Sequence, residues 1–252
     1  MDSFQNKNED NNLQANFKIC QIPELAQEKE KSKIILFGDS LTQKGFQLET
    51  EGWAIKVANN YIRKQDVVNR GFSGYTTENT LPILEKMLKY EFASSEISLI
   101  SIFLGANDAI LPLDEQKPRP NLPSKRSQKL VPLVDYKNNL ISMINFIQKH
   151  SEIKILLITP PPLMENRFYG YNRKNSHTIK YREAMKKVSI MKNCSLLDTW
   201  NLFKEKNFSA IFIEDGLHFD KLGNNLIAEG FMKTIEVDFP HLLPRSLNNL
   251  YE

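Results

Sequence analysis

Short apolar segments alternate along this chain with longer segments that carry apolar residues at helical spacing. Strands that are apolar throughout, unlike strands in which apolar and polar residues alternate, have to be covered on both faces. A parallel sheet with helices on both sides meets this requirement, so the pattern predicts an α/β domain with a five-stranded parallel sheet in three layers. The predicted strands are residues 33–37, 66–74, 97–104, 153–159 and 194–198.

The segments between and after these strands predict the covering helices, because their apolar residues recur three or four positions apart. Thr80 is the expected N-cap of the second helix and Asp135 that of the third. With 252 residues and 41% apolar residues, the chain is long enough and apolar enough for one substantial core. The predicted helices are residues 52–64, 80–90, 136–149, 176–190 and 221–236.

The composition of the remaining segments predicts the domain organisation. Residues 1–30 are polar and predict a loosely ordered leader, residues 31–236 form the domain, and residues 237–252 form a tail. The tail carries apolar residues that pack either on the domain or on another protein. An inserted segment, residues 112–131, contains four prolines, five basic and two acidic residues. This composition is typical of a solvated surface loop, although a lid or a contact with a protein partner is also compatible with it.

Several classes of function are disfavoured by the sequence. A formal net charge of +3 gives no indication of nucleic-acid binding, and no run of 18 apolar residues predicts a membrane span. The loop after the first strand has neither a glycine-rich dinucleotide pattern nor a phosphate-loop lysine motif, so a nucleotide cofactor is not expected. The N-terminus lacks the features of signal and transit peptides, and two cysteines, Cys20 and Cys194, do not suggest a disulfide framework. We therefore expect an intracellular, cytoplasmic protein.

Polar residues and glycines follow the carboxyl ends of the predicted strands, where parallel sheets bind their ligands. Ser40 follows the first strand, Gly74 the second and Asn107 the third, while Asp215 and His218 come after the fifth. The carboxyl ends of parallel strands share one edge of the sheet, and ligands bind beyond that edge. Each residue alone also suits an ordinary role in a turn or a cap, but their combination at one edge favours a catalytic site.

The residue types at this edge fit nucleophilic catalysis. A serine hydroxyl needs a base to take its proton, and histidine suits that task near neutral pH. Of the four histidines, only His218 has a carboxylate three residues before it in a glycine-containing loop, and Gly216 permits a tight turn between the two. We expect Ser40 to be the nucleophile, His218 the base and Asp215 the group that orients the imidazole. The expected donors to the oxyanion are the backbone N–H groups of Ser40 and Gly74 and the side-chain amide of Asn107.

Four sequence blocks carry a resemblance to a known family. "FGDSLT", "NRGFSG", "GAND" and "DGLH" resemble the first, second, third and fifth blocks of the GDSL, or SGNH, hydrolase family, and together they span about residues 33–236. Within that family the chain is most similar to the isoamyl acetate-hydrolysing esterase group, which shares "GW", "RGFSGY", "PLVDYKNNL" and "ITPPPL" in the same order.

The resemblance implies a flavodoxin-like three-layer α/β/α fold. It also implies a serine esterase that acts on small, acetate-type esters through an acyl-enzyme, without a metal or cofactor. The inserted segment 112–131 is longer than expected for the group. The alternative is a family member that serves as a structural or binding subunit of a larger assembly, and the residues leave that alternative open.

Overall fold

The computed structural model describes residues 33–91, 96–111, 130–149, 153–165, 167 and 173–250. The predicted leader, Cys20 and nearly all of the inserted segment 112–131 lie outside the described residues.

Five parallel strands form a single sheet in the described part of the chain. The strands pair in the order β2-β1-β3-β4-β5. The three central strands are buried along almost their whole length, whereas the edge strands β2 and β5 are largely half-buried, which explains why their sequences are less apolar. The predicted five-stranded parallel sheet is therefore confirmed. The strands are β1 (Lys33–Gly38), β2 (Asp66–Gly71), β3 (Ile97–Phe103), β4 (Lys154–Ile158) and β5 (Ser195–Leu197).

Helices cover both faces of this sheet. Alternate residues of β1 point to opposite faces, so Ile34 and Leu36 pack in one core cluster and Ile35 and Phe37 in the other. Helices α2 and α8 contribute to the first cluster, and α3, α4 and α5 to the second, which confirms the three-layer arrangement. The helices are α1 (Ser40–Gln43), α2 (Trp53–Asn60), α3 (Thr77–Lys86), α4 (Leu133–Gln148), α5 (Asn175–Lys192), α6 (Thr199–Leu202), α7 (Phe208–Ile211) and α8 (Lys221–Asp238).

The register of the strands aligns their carboxyl ends. Gly38 at the end of β1 lies opposite Gly71 of β2 and Phe103 of β3, and Phe103 lies opposite Ile158 of β4. The loops that follow these strands therefore leave from one edge of the sheet. The strand order reverses between β1 and β3, the position at which parallel sheets of this topology bind their ligands.

Two predicted helix starts are wrong. Helix α3 begins earlier than expected, with Thr76 as its N-cap; the Thr76 N–H donates to Asn79 Oδ1 over 3.1 Å, closing a capping box. Thr80 instead lies in the first turn and donates to the Thr76 carbonyl. Helix α4 begins directly after Pro132, so Asp135 lies inside its first turn rather than at its cap.

The described part of the C-terminal tail packs on the domain. Phe239, Leu242 and Leu243 are buried in the cluster shared with α2 and α8. The Tyr61 hydroxyl at the end of α2 donates to the Leu242 carbonyl over 2.9 Å, and the Lys64 ammonium donates to the Leu247 carbonyl over 2.9 Å. Of the alternatives for the tail, these contacts support packing on the domain. Within the described ranges, no helix is both long and apolar enough to cross a bilayer.

Candidate active site

Ser40 is the first residue of α1, directly beyond the end of β1. Asp39 caps this short helix, with its Oδ1 accepting from the Leu41 N–H over 2.9 Å, and the Asp39 N–H donates to the Phe103 carbonyl of β3 over 3.2 Å. The first N–H groups of a helix have no partner within the helix, so the Ser40 N–H is not used by α1. The strand end therefore holds Ser40 at a fixed point on the sheet edge, where it is 4% exposed.

His218 and Asp215 lie on a tight turn between α7 and α8. Asp215 Oδ1 accepts from the Leu217 and His218 N–H groups, both over 2.9 Å, and Gly216 between them adopts a φ of +74°, a conformation that glycine tolerates without strain. Asp215 Oδ2 lies 2.5 Å from His218 Nδ1, and His218 Nε2 lies 2.7 Å from Ser40 Oγ. The three side chains singled out from the sequence are thus joined by a continuous series of hydrogen bonds.

The electrostatics of Asp215 suit its position at the end of this series of hydrogen bonds, next to His218. Partial burial raises the pKa of the Asp215 carboxyl. The hydrogen bond to His218, the electrostatic attraction of His218 and the two backbone N–H donors together lower the pKa by more than burial raises it, so it lies below its ordinary value. Asp215 is therefore ionised near neutral pH and accepts from the protonated Nδ1 of His218. This tautomer leaves His218 Nε2 free of its own proton, so it can accept one from Ser40.

Gly74 and Asn107 lie on loops that meet next to α1. Gly74 has a φ of +80° in the turn after β2, and the N–H of Ser73 in the same turn donates to Gln43 Oε1 of α1 over 2.8 Å. Asn107 follows β3, is 3% exposed and donates from Nδ2 to the Tyr75 carbonyl over 2.9 Å. An amide nitrogen carries two hydrogens, so Asn107 keeps a second donor after this bond.

A second set of hydrogen bonds joins the serine side of the site to the histidine side. Trp53 donates from Nε1 to the Leu41 carbonyl over 3.0 Å, and its backbone N–H donates to Asn224 Oδ1 over 3.1 Å. Asn224 donates in turn to the Phe219 carbonyl over 3.2 Å. Leu41 follows Ser40 and Phe219 follows His218, so this buried path holds the neighbours of both residues in place.

These positioning residues were missed by sequence reasoning. Trp53 is part of the "GW" pair shared with the esterase group, but the pair itself indicates no role. Asn224 lies within a predicted helix, where its polar side chain gave no signal of a contact with Trp53, 171 residues earlier. Arg173, which binds Asn107, precedes α5 and belongs to no local sequence motif.

Two buried carboxyl groups lie directly beside the site. Burial raises the pKa of Asp39 to about 7, although the Leu41 N–H and the charge of Arg173 lower it in part. Burial likewise raises the pKa of Asp108 to about 6, against the hydrogen bonds from Thr77. Within the described ranges, no three histidine, cysteine or acidic side chains are grouped so that they could hold a metal ion.

We expect Asp39→Asn to flatten the pH dependence of stability. Because the pKa of Asp39 is raised in the folded state, its contribution is fully present below the unfolded pKa of about 4 and is lost as the pH rises through about 7. The amide can keep the cap on Leu41 but does not ionise. Between pH 4 and 8 the variant should therefore lose less unfolding free energy than the wild type, by on the order of 1–4 kcal/mol.

Urea unfolding of both proteins across this pH range measures the difference. Asp135→Asn, at an exposed position of α4, is the control for replacing a carboxylate elsewhere. Parallel pH profiles for Asp39→Asn and the wild type would contradict the expected titration.

Comparison with known proteins places this chain in a family. The sequence profile of the GDSL-like lipase/acylhydrolase family matches residues 36–226. A human protein named isoamyl acetate-hydrolyzing esterase 1 homolog is 32% identical over 225 residues, covering 84% of this chain and 86% of its own. Isoamyl acetate-hydrolyzing esterase of Saccharomyces cerevisiae is 28% identical over 233 residues, covering 85% of this chain and 90% of its own.

A solved structure supports the same assignment. The lipase/acylhydrolase of Enterococcus faecalis superposes with a TM-score of 0.64 at 25% identity, covering 81% of this chain and 95% of its own. The profile match spans more than half of the chain and includes the residues from Ser40 to His218. With this fold, this match and these relatives, the chain belongs to the GDSL-like lipase/acylhydrolase family of carboxylic ester hydrolases.

Proposed function

We propose that this chain hydrolyses carboxylic esters with small, acetate-type acyl groups through an acyl-enzyme on Ser40. The observation that carries the proposal is the chain of hydrogen bonds from Ser40 through His218 to Asp215, with spacings of 2.7 and 2.5 Å. In this proposal Ser40 is the nucleophile, His218 the general base and Asp215 the orienting carboxylate.

The first half of the proposed reaction transfers the acyl group to the enzyme. Ser40 Oγ attacks the ester carbonyl while His218 Nε2 takes the hydroxyl proton, and ionised Asp215 stabilises the resulting imidazolium. The carbonyl oxygen becomes an oxyanion. Its proposed donors are the Ser40 N–H, the Gly74 N–H and the second amide hydrogen of Asn107. His218 then gives its proton to the departing alkoxide, which leaves as the alcohol.

The second half regenerates the enzyme by the same groups. A water molecule attacks the acyl-enzyme carbonyl and gives its proton to His218 Nε2. The oxyanion forms again in the same place and is stabilised by the same donors. Collapse of the second tetrahedral intermediate releases the carboxylic acid, and the proton on His218 returns to Ser40 Oγ.

Two observations support a small acyl group. The human and yeast relatives bear the name of an isoamyl acetate-hydrolyzing esterase. In addition, Ser40 is only 4% exposed, so an acyl group must fit closely around the nucleophile to reach it. Acetyl groups meet this steric requirement with the least rearrangement of the surrounding side chains.

We expect catalytic efficiency to fall as the acyl chain lengthens. In a series of p-nitrophenyl esters from acetate to decanoate, kcat/KM should be highest for the shortest members, because longer chains have to displace side chains around Ser40. Initial rates at several substrate concentrations measure the series. Efficiency that rises steadily to the decanoate would contradict the preference for small acyl groups, although it would leave ester hydrolysis itself intact.

A fluorophosphonate probe separates the enzyme from a purely structural or binding subunit. We expect a covalent adduct on Ser40, identified by mass spectrometry of the digested protein, because the probe requires an activated serine hydroxyl. Absence of labelling by a protein that is folded by circular dichroism would support the structural alternative. A protein partner at segment 112–131 or the tail and an intracellular location stay predictions from the sequence.

A further inference from the structure

Arg173 is a buried cation at the candidate site, and the proposed mechanism assigns it no role. It lies just before α5 and is 7% exposed. Its Nη2 donates to Asn107 Oδ1 over 2.9 Å, and its Nη1 donates to the carbonyl of Ala106, the residue before Asn107. The guanidinium group therefore binds one acceptor on the side chain of Asn107 and one on the adjoining backbone.

The two partners of the Asn107 amide fix which end of it faces the reaction. An asparagine amide has a donor end and an acceptor end, and rotation by half a turn exchanges them. Here Oδ1 accepts from Arg173 and Nδ2 donates to the Tyr75 carbonyl. Rotation would place Nδ2 against the guanidinium donors and Oδ1 against a carbonyl oxygen. Both contacts would be repulsive, so the pair selects a single orientation.

The buried charge of Arg173 also affects Asp39, on the side of the site that carries the nucleophile. The positive charge of Arg173 lowers the pKa of Asp39 in part, against the larger effect of burial. Asp39 precedes Ser40, and Asn107 follows β3 on the other side of the point where the strand order reverses. Arg173 thus links the two sides of the site through charge on one side and hydrogen bonds on the other.

We infer that Arg173 is a positioning residue that holds the Asn107 amide with its donor end toward the oxyanion. The inference rests on the proposed function, in which Asn107 stabilises that oxyanion. A fixed donor needs no reorientation when charge develops, which is the source of its catalytic effect. Loss of Arg173 removes the partner of Oδ1 and leaves only the bond from Nδ2 to the Tyr75 carbonyl, so the amide is held less firmly. The effect should therefore appear in kcat rather than in KM.

A double-mutant cycle on p-nitrophenyl acetate hydrolysis tests the inference. Asn107→Ala alone should lower kcat by on the order of 10²–10³. Arg173→Met should lower kcat by on the order of 10–10², a smaller loss because Tyr75 still accepts from the amide, with KM changed less than about threefold. In the Asn107→Ala background, Arg173→Met should cost less than about twofold more, because the amide on which it acts is gone.

Arg182→Met is the matched control. Arg182 is a partly buried arginine within α5, and it binds Asp198 through Nε–Oδ1 and Nη2–Oδ2 contacts of 2.8 and 2.6 Å, away from Asn107. We expect this variant to lose stability but to keep the wild-type kcat. Urea unfolding of every variant shows that rates are compared between folded proteins. If Arg173→Met does not fold, Arg173→Lys takes its place in the cycle, because it keeps the charge but not the two-pronged donation.

The outcomes separate this inference from the proposed function. Equal losses from Arg173→Met with and without Asn107, or an unchanged kcat in the folded single variant, would overturn the positioning role. Wild-type turnover in Ser40→Ala would instead overturn the proposed function. If Ser40→Ala is inactive and the double-mutant cycle is additive, the positioning role of Arg173 is therefore overturned while the proposed function stands.

Discussion

Ser40→Ala is expected to lower ester turnover by a factor on the order of 10⁴–10⁶ while the protein stays folded. The variant removes the hydroxyl that lies 2.7 Å from His218 Nε2, and with it the atom that would form the acyl-enzyme. The residual rate should come from the oxyanion donors and substrate binding. The fold should persist because Asp39, not Ser40, caps α1, and alanine is a good first residue for a helix.

Ser101→Ala provides the control for deleting a buried serine hydroxyl. Ser101 lies inside β3, is 1% exposed, and its Oγ makes no hydrogen bond to any described residue. Removing it should leave turnover unchanged and stability equal or slightly higher. Steady-state rates and urea unfolding of both variants measure the contrast. Turnover in Ser40→Ala within a few-fold of the wild type would exclude Ser40 as the nucleophile.

His218→Ala is expected to cause a loss of turnover on the same order, about 10⁴–10⁶, because the nucleophile then has no base. Asp215→Asn should cost on the order of 10³–10⁴. An asparagine Oδ1 can still accept from the Leu217 and His218 N–H groups, but its Nδ2 would donate to His218 Nδ1. That bond favours the tautomer with the proton on Nε2, which cannot accept a proton from Ser40.

His241→Ala, on the exposed surface of the tail, is the control for loss of an imidazole. The rates of all three variants on p-nitrophenyl acetate, with folding checked by circular dichroism, complete the test. If His218→Ala retained the turnover of His241→Ala, the base would have to be another group. If Asp215→Asn were as active as the wild type, Asp215 would have no role in fixing the tautomer.

The parts of this structure that could be predicted from the sequence are those determined by residues close together along the chain. The buried central strands are continuous apolar runs. The residues that follow them lie at one edge of the sheet, because parallel strands with aligned ends all end at the same edge. The Ser40, Asp215 and His218 triplet could be selected because the topology limits where each can lie. The four-residue helices α6 and α7 were not predicted, because each is shorter than the pattern that reveals a helix.

The errors have physical reasons of the same kind. The run from Thr76 to Thr80 contains three threonines that could each cap a helix, and the capping box with Asn79 decided among them. Arg173 contacts Asn107 across 66 residues of chain, and Trp53 contacts Asn224 across 171. Such contacts depend on how the layers pack, and no local composition or spacing encodes them.

The separation of Ser40 from His218, 178 residues along the chain, has a consequence for the order in which the protein is made. During synthesis the nucleophile emerges early and the base emerges near the end, after every strand of the sheet. In the folded protein β1 lies between β2 and β3, α8 and α2 share one core cluster, and the turn that leads into α8 places His218 Nε2 2.7 Å from Ser40 Oγ. A nascent chain or a truncated fragment that ends before His218 should therefore bind no probe at Ser40, and reactivity at this serine would report the moment at which the last helix has folded onto the rest.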